Sequence, residues 1–148
     1  MEERLSEHFS LKEFCLSQTA VRHGINNVPN ELTIAKMKAL AVNVLEPARN
    51  ILGRPIRVSS GFRCIKVNRL IGGADSSQHT KGEAGDLTCD DNAELFSIIY
   101  HNFEFDQLIW EFGDDSEPAW VHVSFREGKN RKEVLRAVRR LVTSQRKF

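Results

Sequence analysis

Seven positions separate an imidazole, His79, from a carboxylate, Asp86, in the stretch Ser76-Ser77-Gln78-His79-Thr80-Lys81-Gly82-Glu83-Ala84-Gly85-Asp86. A turn through Gly82 has the backbone freedom to fold both side chains toward one point. Imidazole nitrogen and carboxylate oxygen are donors that zinc favours, and a hydrolytic zinc site uses three protein ligands and leaves a fourth position to water. The chemistry that fits is metal-assisted hydrolysis. His122 is the best third donor. Period-two alternation from Trp120 to Phe125 puts Trp120, His122 and Ser124 on one face and Val121, Val123 and Phe125 on the other, so the imidazole points away from the apolar side. His8 near the N-terminus, His23 in an early loop and His101 at the end of an amphipathic helix suit solvated roles better.

These donors need a frame, and the sequence sketches one. Ser10 and Glu13 fit a capping box, opening a short helix that buries Phe14. From Asn30, the residues Met37, Leu40, Ala41, Val44, Leu45, Ala48 and Ile51 recur at helical spacing, and Gly53 with Pro55 closes the segment. Pro47 removes a backbone donor inside that helix and predicts a kink near Leu45 or a break in two. Ile56–Ser59 reads as a strand, and Ser60 to His79 as mostly irregular, with Gly61, Gly72 and Gly73. A strand over Ala84–Cys89 follows. Asp91 and Glu94 then cap a helix with Phe96, Ile99, Tyr100 and Phe103 on one face. Phe105–Phe112 and Trp120–Phe125, joined by the polar loop Gly113–Pro118, form an expected antiparallel hairpin. The tail from Arg126 suits either a helix or a final strand plus helix. The predicted fold is α+β: a single compact domain, helices packed on one side of a small, mostly antiparallel sheet, the site on the open face.

A length of 148 residues matches one domain, and 41% hydrophobic with 28% charged residues is ordinary for a globular protein. The net charge of +1 creates no strong overall field. The tail from Arg126 holds nine Lys or Arg, read as a solvated face and not as a nucleic-acid surface. Cys15, Cys64 and Cys89 form no C-x-x-C pair and read as reduced, structural thiols. The charged N-terminus lacks the apolar run of a signal peptide, and nothing approaches a membrane span. A monomer, cytoplasmic at synthesis and without nucleic-acid or membrane partners, is expected; action on a cell wall would require export or release by other machinery.

The motif Ser77-x-His79-x-x-Gly82-x-Ala84-x-Asp86, with Ser60-Gly61-Phe62-Arg63 before it and Trp120-Val121-His122-Val123 after it, resembles the zinc D-Ala-D-Ala carboxypeptidases and L-alanyl-D-glutamate endopeptidases of bacteria and phages. That family shares its fold with the hedgehog signalling domain. Phe9 to Phe14 and Leu45 to Arg49 are further points of likeness, so the resemblance spans nearly the whole chain. It implies zinc held by His79, Asp86 and His122, a catalytic and substrate-binding Arg63, and peptidoglycan stem peptides as substrates. The rigid fork of Arg63 matches a carboxylate or a polarised carbonyl. Ser77 is expected to touch substrate, orient a ligand or shape its turn. The family commonly places its general base, an Asp or Glu, three residues before the last histidine ligand; that position is Ala119 here. Glu117 is the expected replacement, with Asp115 and Glu111 as alternatives. The competing expectation, favoured by Ala119, is a non-catalytic zinc module that binds wall peptide or a protein.

Overall fold

Helices cover one face of a five-stranded sheet in the computed structural model, which describes residues 3–138. A two-stranded hairpin, β1 (Arg4–Ser6) and β2 (Phe9–Ser10), leads directly into α1 (Leu11–Cys15). Ser10 caps α1 by accepting the Glu13 N–H at 3.0 Å. The reciprocal half of the capping box is absent. The Glu13 carboxylate instead accepts the Val58 N–H at 3.1 Å, tying α1 to the sheet edge β3 (Arg57–Ser60).

Helix α2 (Gln18–His23) precedes the expected long helix, which forms as α3 (Glu31–Leu40), a π-turn (Ala41–Leu45) and α4 (Glu46–Leu52). Pro47 produces neither a break nor a sharp stop. The Glu46 N–H reaches back five residues to the Ala41 carbonyl, and the wide turn absorbs the proline's missing donor. Downstream of that turn Leu52 is buried while Ile51 is 53% exposed, so the apolar stripe ends one position later than its spacing predicts. Gly53, at φ 72°, caps α4 in the left-handed region.

The segment expected to be irregular contains a helix, α5 (Ile65–Leu70), which buries Val67 and Asn68. Fewer than two turns is too short for periodicity to reveal. After β4 (Ala84–Thr88), α6 (Asn92–Asn102) starts at the expected cap, Asp91, whose side chain accepts the Glu94 N–H at 3.0 Å. Its core face is Leu95 and Ile99; Tyr100 is 45% exposed, and Phe103 lies past the helix end.

Strands β5 (Gln107–Glu111) and β6 (Trp120–Ser124) form the expected hairpin, and the sheet runs β3-β4-β6-β5-β7. All neighbours are antiparallel except β5 and β7 (Glu133–Ala137), so the tail continues as a strand. The helix expected after it falls outside the described residues. Val58, Leu87, Leu108, Val121 and Val123 pack with Phe14, Met37, Leu40, Leu45, Leu95 and Ile99 in one core. The alternate residues, among them Asp86, Ile109, Glu111 and His122, therefore face the other side. No helix among the described residues is long and apolar enough to cross a membrane.

Candidate active site

Register places two of the expected metal donors side by side: Asp86 on β4 pairs directly with His122 on β6. The third comes from a 3-10 turn (Gln78–Lys81) that enters β4 through Gly82 at φ 75°. Ser77 caps this turn, its Oγ accepting the His79 N–H at 3.2 Å. The Arg63 N–H donates to the His79 carbonyl at 3.1 Å, fastening the turn to the end of β3. The His79 ring is fixed by its Nδ1–H, which donates to the Gly61 carbonyl at 2.8 Å. Its Nε2 is left facing the Asp86 Oδ1, 3.4 Å away. Such an anchored imidazole is the usual arrangement of a metal-binding histidine.

His122 Nδ1 lies 2.9 Å from the same Asp86 oxygen, and donor atoms of all three residues fall within 4.8 Å of one another. Burial opposes ionisation of Asp86. Hydrogen bonds from His122 and His79 outweigh it and hold the carboxyl well below the usual carboxylate range. Two buried imidazoles and one half-buried carboxylate, convergent and drawn from three elements, suit a borderline divalent ion such as zinc.

Gly61 has no room to vary. A Cβ there would stand 2.4 Å from the Phe14 carbonyl oxygen. We expect Gly61→Ala to cost about 2 kcal/mol of stability and to weaken metal retention, because the carbonyl that orients His79 moves with it. Thermal melting with and without added zinc measures both effects.

The three donors line a cleft of roughly 670 Å³ that also exposes Arg63, Ser77, Glu111 and Trp120. Arg63 donates to the Ser77 Oγ at 3.4 Å, while its Nε is buried without a hydrogen-bond partner. Such an unmet donor costs free energy until a ligand accepts from it. Ser77 both shapes the turn and touches Arg63.

The three candidate bases separate clearly. Glu117 accepts the Asn92 N–H at 2.8 Å at the start of α6, and it does not line the cleft. Asp115 is exposed in the hairpin loop and pairs with Arg136 at 2.7 Å. Glu111, at the end of β5, is the one of the three that faces the cleft, and its backbone carbonyl accepts the Ala119 N–H at 2.9 Å. Burial raises the Glu111 carboxyl above its ordinary value; His122 lowers it, and Asp86 pushes it further up. The thiols of Cys64 and Cys89 do not line the cleft.

Sequence reasoning missed Asp106, fully buried between the turn that carries His79 and the C-terminal strand. Its oxygens accept Arg131 Nε and Nη2 at 2.9 and 2.8 Å and the Gln78 amide at 2.8 Å, one residue from His79. The available signal was an acid set between Phe105 and Leu108 at the entry to an apolar strand. Arg131 holds the Asp106 carboxyl down at about 2, from an ordinary 3.8. Its folded pKa lies below the unfolded one, so its contribution, on the order of 2 kcal/mol, is complete above pH 4 and fades as pH falls toward about 2. Asp106→Asn should lose roughly 3 kcal/mol near neutrality and show a flatter acid limb, readable from chemical denaturation across pH.

Comparison with known proteins adds an independent line. No curated protein matches the chain. The profile of a known family, described as Peptidase M15, matches residues 7–124, which takes in all three donors, Arg63, Ser77 and Glu111. On that match, spanning most of its length, this chain belongs to the peptidase M15 family.

Proposed function

We propose that this metallopeptidase is zinc-dependent and hydrolyses peptide bonds in peptidoglycan stem peptides, as a D-Ala-D-Ala carboxypeptidase or an L-Ala-D-Glu endopeptidase. The observation that carries the reading is the convergence of His79, Asp86 and His122 in a cleft that also presents Glu111 and an under-satisfied Arg63. Zinc held by those three residues would supply Lewis acidity, which lowers the pKa of water and polarises a carbonyl.

The chain's own groups do the rest. Glu111, its basicity raised by burial, accepts a proton from the attacking water and returns it to the departing amine. Arg63 offers its fork to the substrate carbonyl or terminal carboxylate and stabilises negative charge that develops there. Ser77 steadies that guanidinium. Trp120, stacked edge-on against Phe112 at 5.2 Å, forms an aromatic wall beside Glu111. The substrate lies outside the cytoplasm, so this reading requires release by lysis or export.

Digestion of isolated peptidoglycan by the zinc-loaded protein, with and without chelator, tests the proposal by mass spectrometry of the products. Chelator-sensitive release of D-alanine, or of fragments with a new D-glutamyl amino terminus, is expected. Binding to the wall with no chelator-sensitive fragment would favour the non-catalytic module, the reading that Ala119 supports.

A further inference from the structure

The two ends of the cleft differ in charge. Glu111 and Trp120 form one end, at the paired positions Glu111↔Trp120. The other lies where β4 begins and β6 ends, at the Ala84↔Ser124 pair. Here the cleft is lined by Lys81, Arg126 and Arg131. His122, Ser124 and Arg126 follow one another at period two, so Arg126 stands about 13 Å along the chain from the metal donor. Its backbone is fixed by a turn in which the Lys129 N–H bonds the Arg126 carbonyl at 2.9 Å and Asn130 accepts the Arg126 N–H at 2.8 Å.

Neither Lys81 nor Arg126 has an ion-pair partner among the described residues. The acid lining this end, Glu83, is engaged by Lys36 at 3.6 Å and by Gln78 at 3.3 Å. Arg131 spends Nε and Nη2 on Asp106 and holds Glu133 only loosely, with Nη1 at 3.9 Å. Unpaired cations gathered at one end of a peptide-sized cleft call for an anionic ligand group. Of the three cations, Lys81 lies within the segment that matches the family, residues 7–124, and Arg126 and Arg131 lie beyond it.

We propose that Lys81 and Arg126, with the outer edge of Arg131, form an anion subsite that takes a side-chain or α-carboxylate of an acidic peptide. The spacing places that carboxylate within about four extended residues of the scissile bond. The subsite rests on the peptidase reading and narrows its substrate class to peptides with a free carboxylate away from the cleaved bond.

The test compares a stem pentapeptide carrying free glutamyl and diaminopimelyl carboxylates with the same peptide amidated at both. Zinc-loaded wild type should favour the acidic form about tenfold in kcat/KM, the size of one charge-assisted contact. The Lys81→Ala/Arg126→Ala double variant should bring that ratio close to one, and Arg126→Lys should keep most of it. Calorimetric binding of the same pair gives a second readout. If neither peptide is cut yet the acidic one binds more tightly to wild type alone, the peptidase reading fails and the subsite stands. Equal handling of both peptides by wild type, or an undiminished preference in the double variant, overturns the subsite.

Discussion

Glu111→Gln is expected to lower kcat by about 10³-fold while leaving zinc content and melting temperature close to those of wild type. The substitution keeps the size and removes the basicity of a carboxylate that lines the cleft and makes no ion pair with a cation among the described residues. Burial opposes ionisation of this carboxyl. The base works only when ionised, so wild-type kcat/KM should fall as acid protonates it. That limb should be missing from the small residual activity of the variant. Glu117→Gln supplies the contrast. It weakens the bond to the Asn92 N–H and should cost about 1 kcal/mol of stability with turnover retained. A variant pair that behaved the other way round would return the base to the hairpin loop.

The second large effect concerns the candidate metal donors. His122→Ala or Asp86→Asn should abolish detectable hydrolysis and weaken zinc binding by more than about 100-fold, since even partners one step removed from a metal commonly cost 10–100-fold. The fold should survive. Both residues sit within the β4–β6 ladder, whose backbone pairing does not depend on their side chains, and the core lies on the opposite face. Melting curves should therefore show a variant that is folded but no longer stabilised by added zinc, whereas wild type gains stability with zinc by mass action.

Much of this site was legible in the residues because local rules govern the parts that matter. Strict alternation in β6 separates His122 from Val121 and Val123, and Gly82 permits the turn that brings His79 beside Asp86. The hairpin, the α6 cap and the bulk of the central helix follow from similarly local signals. What failed to show depends on contacts distant in sequence. Glu13 leaves its own helix for the Val58 N–H, and Glu117 turns to Asn92 and away from the cleft, because each finds a partner that only the folded chain supplies. The π-turn before Pro47 shifts the apolar stripe from Ile51 to Leu52, a phase change that a spacing of 3.6 residues cannot anticipate. Asp106 is the extreme case. A buried acid is intelligible only once Arg131 and Gln78 arrive from either side.

X-ray absorption at the zinc edge, on wild-type protein loaded with one equivalent, probes the metal centre most directly. Two imidazole nitrogens with carboxylate and solvent oxygens, all at about 2.0–2.2 Å, are expected from His79, Asp86 and His122. Sulfur scattering at about 2.3 Å would instead bring in a cysteine, and the absence of imidazole would remove the histidines; either result contradicts the centre described for this chain.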